Sequence, residues 1–531
     1  MQRQILECLV EYDYLKDDGT IQGCLANAWS STKNNTQWNL CLRTDAAFYD
    51  PFDPPLWPSR TRPLVAQDVL NSWLRMADAR NTASAWNAMD GIFLGLNEFR
   101  MQTASLNPQV AEDAWLKARK EGIEGIQVID DHHLTLTLTQ PDPDFLQRLA
   151  MTHFEVYPIE ATETEGRSMM NEPVGSGAFV LRNWLEGQTV VFGRTPDWRG
   201  QESPFADGTL PFLDQVEFHV VKDPTNAMQQ FEKGAFDRMS LGSSGMSRFL
   251  DSDFQVQEKY KAQGYQVFER PASDVTILTF GMRDPIVGHV RGDDAGNEKR
   301  RLLRQAIALT FPHKMWGDLV RGSAPAELAR NFIPPVIPGY ERFAASDLVA
   351  TDLERARLLL KKAGYPGGKG LPPIEFHAFD ENASHSVSQL FQEAAAEVGI
   401  QIKLLTLPYP EQQQRQRDGQ AQVFLTAWVL DWPDPALILQ NFHGSSAGTE
   451  ANLSSFRNLE YDALYVQMRT MEDSPKRDKL ISRMLAILNH ETPSVPIDHR
   501  RSWILTQPWL SNFRPHPFEA IATKYFRVAP H

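Results

Sequence analysis

An aspartate flanked by two tryptophans is the residue of this chain best suited to holding a charged ligand. Asp431 lies between Trp428 and Trp432 in the stretch "AWVLDWPDPALILQNF", which begins as an apolar strand and breaks at two prolines. A carboxylate beside indole rings at the end of a strand can face a ligand, because it offers charge next to apolar surface. It can equally belong to an ordinary turn, where aspartate and proline are common.

The composition indicates a globular protein with more than one domain. The chain has 531 residues, of which 42% are hydrophobic and 23% charged. This length exceeds the usual size of a domain with a single hydrophobic core. The net charge is −14 and no basic tract is present to neutralise phosphates, so we expect no nucleic-acid partner. No apolar run approaches the roughly 20 residues needed to span a bilayer.

The cysteines and histidines do not form a recognisable metal-binding pattern. Cys8, Cys24 and Cys41 have neither CxxC nor Cys/His spacing, so no structural zinc site is expected. Unpaired, half-buried thiols are favoured over a disulfide, although spacing alone does not choose a pair. The acidic-histidine run from Asp130 to His133 is interpreted as a turn that feeds a strand, because no third ligand follows at suitable spacing.

Complete catalytic motifs are missing as well. "PVGSGAF" has too few glycines for a phosphate-binding loop, and "LGSSGM" has Met246 where the GxSxG elbow requires glycine. There is no HExxH. We therefore predict no catalytic residue, no metal, no cofactor and no enzymatic activity.

Strand and helix patterns alternate along the chain. Four segments are typical of strands: "TQWNLCLR", "HHLTLTLTQ", "TLPFLDQVEFHVV" and "PPIEFHAF". "TDLERARLLLKKAGYPGG" predicts a helix that opens with a capping box of Thr351 and Glu354. "QLFQEAAAEVGIQIKLL" predicts a helix that turns into a strand at Gly399, and the opening "MQRQILECLVEYDYL" has apolar residues spaced for a helical face. The predicted class is α/β or mixed α+β.

Eight segments of the chain form an ordered set of motifs: "ECLVEYD", "LANAWSSTKNNTQWNLCLR", "PLVAQDVLNSWLRMAD", "EPVGSGAFVLRNW", "VVFGRTPDWRG", "LRQAIALTFPHKMW", "ARLLLKKAGYPGG" and "AWVLDWPDPALILQNF". In this order they resemble the oligopeptide- and dipeptide-binding family of solute-binding proteins that serve bacterial ABC importers. Each segment is degenerate alone, and the shared order carries the resemblance.

The resemblance implies a two-lobed periplasmic-binding-protein fold, similar to type II, with an extra domain and a ligand cleft between hinged lobes. The expected first lobe consists of residues 1–50, 173–270 and 495–531. The expected extra domain covers residues 51–172, and the expected second lobe covers residues 271–494. The family's signal peptide and first strand precede its "EGL" helix, and they are absent before the matching "ECL" here. A mis-assigned start codon or a trimmed chain is the expected reason.

The same resemblance implies roles for individual residues. In peptide-binding relatives the acidic residue at the position of Asp431 pairs with the α-ammonium group of the peptide. Trp428 is then expected to wall the pocket, and Trp432 to lie either in the pocket or in the core. Asp434 is expected to be a structural turn residue, because it precedes Pro435.

Three further assignments follow from the resemblance. Trp86 falls where a relative has a pocket tyrosine, and His385 falls where an oligopeptide binder has a histidine near the peptide carboxylate. Arg417 lies near a basic residue of similar use. For each of the three, a solvated surface or core role is an open alternative. Leu425 replaces an arginine that long-peptide binders use, so identical peptide chemistry is not expected.

The function implied is delivery of a small solute, foremost a peptide, to the permease subunits of an ABC transporter. We expect a monomer that is periplasmic or anchored outside the cytoplasm. The alternatives are an oligosaccharide, opine or metal-complex binder of the same family, and a cytoplasmic sensor built on the same fold.

Overall fold

The computed structural model describes residues 2–32, 34–81, 84–205, 207–320, 327–378, 382–518 and 522–531. Its strands are β1 Val10–Tyr12, β2 Ile21–Gly23, β3 Ala26–Ser31, β4 Gln37–Leu42, β5 Ala47–Tyr49, β6 Thr61–Pro63, β7 Ile126–Asp130, β8 His133–Thr137, β9 Phe179–Leu185, β10 Thr189–Arg194, β11 Gln201–Glu202, β12 Thr209–Leu210, β13 Gln215–His219, β14 Arg238–Ser240, β15 Gln266–Pro271, β16 Asp274–Phe280, β17 Glu327–Leu328, β18 Ile374–Ala378, β19 Ile402–Thr406, β20 Val423–Val429, β21 Ser494–His499, β22 Arg501–Thr506, β23 Leu510–Ser511 and β24 Arg527–Val528.

Helices alternate with these strands. The α-helices are α1 Ala66–Ala77, α2 Leu96–Thr103, α3 Pro108–Glu121, α4 Phe145–Leu149, α5 Glu160–Glu163, α6 Pro224–Glu232, α7 Ser243–Phe249, α8 Glu258–Lys261, α9 Asp294–Ala308, α10 His313–Val320, α11 Leu353–Lys362, α12 Asn382–Glu397, α13 Tyr409–Arg417, α14 Pro435–Leu439, α15 Leu459–Met468 and α16 Pro475–Glu491. Short 3-10 helices cover Gln2–Gln4, Ser84–Ala88, Thr152–Phe154, Tyr340–Arg342, Pro366–Gly368, Gln440–Phe442, Gly444–Ser446 and Thr523–Tyr525. The fold is therefore mixed α/β, as the alternating patterns predict.

The chain divides into two compact units. Unit 1 consists of Met1–Asp237 and Pro508–His531, and unit 2 consists of Arg238–Gln507. The finer division predicted from the resemblance, into two lobes and an extra domain, stays a prediction.

Unit 1 contains a four-stranded antiparallel sheet in the order β3-β4-β8-β7 and a three-stranded antiparallel sheet in the order β13-β10-β9. An aromatic core lies beside α1. The ring centroid of Trp73 is 5.5 Å from that of Phe93 and 5.4 Å from that of Phe154. All three side chains are fully buried. Large apolar contacts with this core therefore fix α1 in place, rather than the charged residues on the surface of the helix.

Unit 2 is built on a six-stranded sheet in the order β17-β21-β16-β20-β18-β19. β18 runs parallel to both β19 and β20, and the other pairs are antiparallel. Every residue of β16 is buried, as expected of a central strand covered on both faces. Leu303, Leu360 and Phe391 from α9, α11 and α12 belong to one apolar core with Phe376 of β18.

Two short connections join this sheet to a second sheet of unit 2, which has the order β14-β22-β15. The chain passes from β15 to β16 through Ala272 and Ser273, and from β21 to β22 through Arg500. The Ala272 amide donates to the Arg500 carbonyl at 2.8 Å, and the Arg500 guanidinium pairs with the buried carboxylate of Asp274. An ion pair thus ties the two connections together.

The strand predictions are confirmed by the structure. β4 lies within "TQWNLCLR", β8 within "HHLTLTLTQ", β12 and β13 within "TLPFLDQVEFHVV", and β18 within "PPIEFHAF". Asp130 and His133 belong to the turn between β7 and β8, with carboxylate and ring nitrogen 2.8 Å apart, as predicted.

Two local predictions are wrong in detail. The opening segment is not a helix beyond Gln4, because its backbone pairs with neighbours: the Ile5 carbonyl accepts from Gly177, and the Leu9 carbonyl accepts from Cys24. Ile5, Leu6, Leu9 and Val10 are all buried, so their spacing does not define one helical face. In α11 the N-cap is Asp352 rather than Thr351, and its side chain accepts from the Arg355 amide at 2.9 Å.

Candidate functional site

The segment from β20 to α14 leaves the core of unit 2 partway along the strand. Val423, Phe424 and Leu425 are buried, and from Thr426 onward buried or half-buried positions alternate with exposed ones. Within the described residues, β18 pairs with β20 only at Val423 and Phe424, whereas β16 follows β20 to its end. One edge of Thr426–Val429 therefore lacks a strand partner in the described part of the chain, and its backbone groups are suited to pairing with an extended ligand.

Asp431 lies two residues beyond the end of β20, with an exposed side chain. Its position is held by the Leu430 amide, which donates to the Ser273 carbonyl at 2.6 Å. Trp428 is half-buried, and Trp432 is only 5% exposed. An exposed carboxylate next to a half-buried indole fits the predicted ligand contact, whereas Trp432 lies in the interior as a support. These ligand roles stay predictions.

Asp434 is a structural residue, as predicted. One of its carboxylate oxygens accepts from the Ala436 amide at 2.6 Å and caps α14, and Pro435 occupies the first turn, where its missing N–H costs nothing. Both carboxylate oxygens accept from Nη2 of Arg477 at 2.7 Å. The two side chains are 6% and 2% exposed, so a buried ion pair fixes the helix that follows the candidate site.

The remaining predicted residues are distributed over both units. Trp86 belongs to the 3-10 helix Ser84–Ala88 of unit 1, half-buried, with the Arg100 guanidinium 4.5 Å from its ring centroid. His385 belongs to α12 of unit 2, but its side chain lies outside the described residues.

Arg417 lies at the other end of β20 from Asp431. It is the last residue of α13, which precedes the strand, and its guanidinium donates to Glu450 at 2.9 Å and to Gln414 at 3.0 Å. Seven strand residues separate the two ends, a span of about 20 Å at the usual rise per residue. The structure therefore does not bring Arg417 beside Asp431.

Buried polar groups that sequence patterns do not reveal lie near the edge of the same sheet. His377 of β18 is 0% exposed, and neither ring nitrogen has a hydrogen-bond partner among the described residues. Burial, reinforced by the charge of Arg415, lowers the pKa of His377 to about 4. Burial likewise lowers the pKa of His313, at the start of α10, to about 4. Both imidazoles are neutral above that pH.

Acidification is therefore expected to destabilise unit 2. A histidine whose folded pKa lies below its unfolded pKa stabilises the fold fully above about pH 6.5, and this stability is lost as pH falls towards about 4. Each of the two groups should remove about 2–3 kcal/mol from the free energy of unfolding at about pH 4.5. Urea unfolding near pH 7 and near pH 4.5 measures how much of the free energy of unfolding is lost on acidification. This loss should be smaller for His377→Phe than for the parent chain.

The control for this experiment is His490→Gln, because the His490 side chain is 62% exposed in the same unit. It should lose as much stability on acidification as the parent. An equal loss in His377→Phe and in the parent would contradict the assigned pKa of His377.

A second buried polar cluster lies in unit 1. Glu7 accepts from Arg199 at 2.6 and 2.8 Å, and Glu11 accepts from Lys524 at 2.7 Å. Burial alone would raise the pKa of Glu11, but the charge and hydrogen bond of Lys524 outweigh it and hold the pKa below its ordinary value. The adjoining cavity of about 50 Å³ has room only for water-sized groups. The cluster is therefore structural.

None of the three cysteines forms a disulfide in the structure. Cys8 and Cys24 are buried and Cys41 is half-buried. Burial, with smaller contributions from Glu7 and Glu11, raises the pKa of the Cys24 thiol well above its ordinary value, so this thiol is poorly reactive.

No cluster of three or more His, Cys, Asp or Glu side chains among the described residues is arranged to hold a metal ion. No described helix is long and apolar enough to cross a membrane.

The chain belongs to a family of bacterial solute-binding proteins. A family model described as "Bacterial extracellular solute-binding proteins, family 5 Middle" matches residues 20–450, which confirms the resemblance seen in the sequence motifs. The chain is 22% identical to Heme-binding protein A of Haemophilus influenzae, covering 97% of this chain and 85% of that protein. It is 24% identical to the periplasmic murein peptide-binding protein MppA of Escherichia coli, covering 96% and 85%.

Solved structures agree on the fold. The ABC transporter-associated periplasmic binding protein DppA from Helicobacter pylori, in complex with the peptide STSA, matches with a TM-score of 0.74 and 18% identity, over 99% of this chain and 92% of that one. The fold of this chain is therefore that of the two-lobed periplasmic binding proteins, and the protein is a solute-binding member of family 5.

Proposed function

We propose that this protein captures a peptide or a similar small solute outside the cytoplasm and delivers it to the permease subunits of an ABC importer. The observation that carries the proposal is the end of β20. Asp431 is exposed two residues past the strand, beside the half-buried Trp428 and an edge of Thr426–Val429 that lacks a strand partner among the described residues.

The chemistry of this strand end suits an extended peptide. Backbone N–H and C=O groups at an open strand edge pair with peptide amides whatever their side chains. The Asp431 carboxylate is the partner for the α-ammonium group, since an ammonium withdrawn from water needs an opposite charge. Trp428 supplies apolar surface for the first side chain of the solute.

Trp86, His385 and Arg417 are proposed as further solute contacts. Trp86 offers a half-buried indole in unit 1, and His385 is retained from the family resemblance alone. The Arg417 guanidinium already pairs with Glu450, so binding a solute carboxylate there requires exchange of that partner. We infer a monomer without enzymatic activity, which returns its bound solute chemically intact.

Mass spectrometry of small molecules that co-purify with the protein tests the proposal. Denaturing the washed protein and analysing the released fraction should identify peptides with a free amino terminus, at close to one per chain. Release of a solute without any cationic group would overturn the pairing assigned to Asp431.

An oligosaccharide, opine or metal complex is the second candidate solute. Two observations favour an oligosaccharide, which needs no cation for a carboxylate: the engaged guanidinium of Arg417, and the buried Leu425, at 2% exposed, where long-peptide binders have an arginine. Neither position then offers a ready cation for a peptide carboxylate. The same mass spectrometric experiment separates the two candidates by the mass and fragmentation of the released molecule.

Capture between two hinged lobes stays a prediction, and small-angle X-ray scattering tests it. The radius of gyration should decrease when the identified solute is added to saturation, because hinge closure makes the particle more compact. Titration with a non-binding compound of the same size is the control. An unchanged radius at saturation would contradict closure.

A further inference from the structure

Unit 1 encloses a cavity that belongs to neither polar cluster nor to the end of β20. Its volume is about 420 Å³, within the roughly 300–1,000 Å³ typical of small-molecule sites. Most of its wall is apolar, from Leu6 near the chain start, Met76 of α1, Leu181 of β9 and Phe192 of β10. A cavity with such a wall releases its water readily to an apolar ligand.

The cavity opens at the surface of unit 1. Met170 and Trp184 both line it, and they are 74% and 42% exposed. Large apolar side chains with this exposure at the mouth of an apolar cavity mark a binding site more often than isolated surface residues do. Methionine is also suited to ligands of varied shape, because its side chain is unbranched and flexible.

Among the described residues that line the cavity, Arg75 is the only arginine or lysine. The Arg75 guanidinium lies 6.0 Å from the ring centroid of Tyr157, and no carboxylate of the described residues lies within ion-pair distance of it. Nδ1 of His153 is buried and has no hydrogen-bond partner among the described residues. Glu155, 3% exposed, also lines the cavity, but it is engaged in contacts of its own.

We propose that this cavity binds a single-chain amphipathic carboxylate, such as a medium-chain fatty acid. The carboxylate pairs with Arg75, whose planar guanidinium matches two carboxylate oxygens. The hydrocarbon chain lies against Met76, Leu181 and Phe192, where its burial contributes apolar area. This site lies within unit 1 and is separate from the solute contacts proposed at Asp431 in unit 2.

Isothermal titration calorimetry with decanoate tests the proposal on the full chain. The parent should bind one decanoate, and acetate should not bind measurably, because it lacks the apolar chain. Arg75→Gln should weaken decanoate binding at least about tenfold, since hydrogen bonds to charged groups contribute this much or more. Decan-1-ol should bind the parent and Arg75→Gln alike, because it carries no charge for the guanidinium to recognise.

Arg182→Gln is the matched control. Arg182 lies in β9, is exposed, does not line the cavity, and likewise has no carboxylate partner among the residues described. It should bind decanoate as the parent does, and thermal unfolding should show that both variants keep the fold. The proposal is overturned if the parent binds no decanoate up to about 1 mM, or if folded Arg75→Gln binds it as tightly as the parent.

Discussion

Asp431→Asn is expected to lower the affinity for a peptide solute by roughly two to three orders of magnitude. The substitution keeps the shape of the side chain and removes its charge, which leaves the ammonium group of the bound peptide unpaired. Removing one partner of a buried ion pair costs about 3–5 kcal/mol, and every 1.4 kcal/mol is about tenfold in affinity. Calorimetry with the peptide identified by mass spectrometry measures the loss.

An N-acetylated form of the same peptide separates the charge pair from other effects. It lacks the ammonium group, so it should bind the parent as weakly as the free peptide binds Asp431→Asn. N-acetylated peptide should bind Asp431→Asn only slightly more weakly than either change alone predicts, because acetylation and the substitution remove the same interaction. Asp418→Asn, at an exposed site near the other end of β20, is the control and should bind normally. Equal affinity of Asp431→Asn and the parent would show that Asp431 is a turn residue without a role in binding.

Short-range sequence patterns predict individual elements of the fold, among them β4, β8, β18 and α12. Alternation in "HHLTLTLTQ" places Leu134 and Leu136 on one face of β8, and both are fully buried. The helix ending at Gly399 was predictable because glycine tolerates the left-handed conformation that it adopts there, with φ of 93°. In each case the signal lies within one element, where side-chain period and backbone conformation are directly linked.

The opening segment shows where such patterns fail. Ile5, Leu6, Leu9 and Val10 are all buried, and the backbone of this segment pairs with other segments of the chain. In a segment that is buried on several sides, apolar residues need not repeat at the period of a helix or a strand. Because the segment is rich in apolar residues, some of them fall at helical spacing by chance. Its conformation is fixed by pairing with other segments of the chain, which the sequence does not identify.

Long-range pairing likewise limits how much of the candidate site is predictable. The motif around Asp431 locates a carboxylate at the end of a strand, and the structure agrees with that placement. The ion pairs that hold the surrounding elements, Asp434 with Arg477 and Asp274 with Arg500, join residues 43 and 226 positions apart. Many arginines of the chain could in principle form an ion pair with such a carboxylate. Tertiary packing therefore decides which arginine does so.

Asp434→Asn is expected to destabilise unit 2 while leaving solute affinity nearly unchanged. The asparagine oxygen can still accept from the Ala436 amide and cap α14, so the substitution removes mainly the charge that faces Arg477. That guanidinium is 2% exposed, and leaving a buried cation without its main counter-charge costs about 3–5 kcal/mol. This is larger than the modest loss expected for a turn residue. Thermal unfolding should show a melting temperature lower by roughly 10 °C.

The same arginine provides the control. Arg477 also donates to Asp473 at 2.7 Å, but the Asp473 side chain is 80% exposed, and exposed ion pairs contribute only about 0–1 kcal/mol. Asp473→Asn should therefore unfold within about 2 °C of the parent. The double variant Asp434→Asn with Arg477→Met should recover much of the lost stability, because no unpaired charge stays buried. If Asp434→Asn and Asp473→Asn proved equally mild, the buried pair would not be what fixes α14, and solvent would have to reach the guanidinium of Arg477.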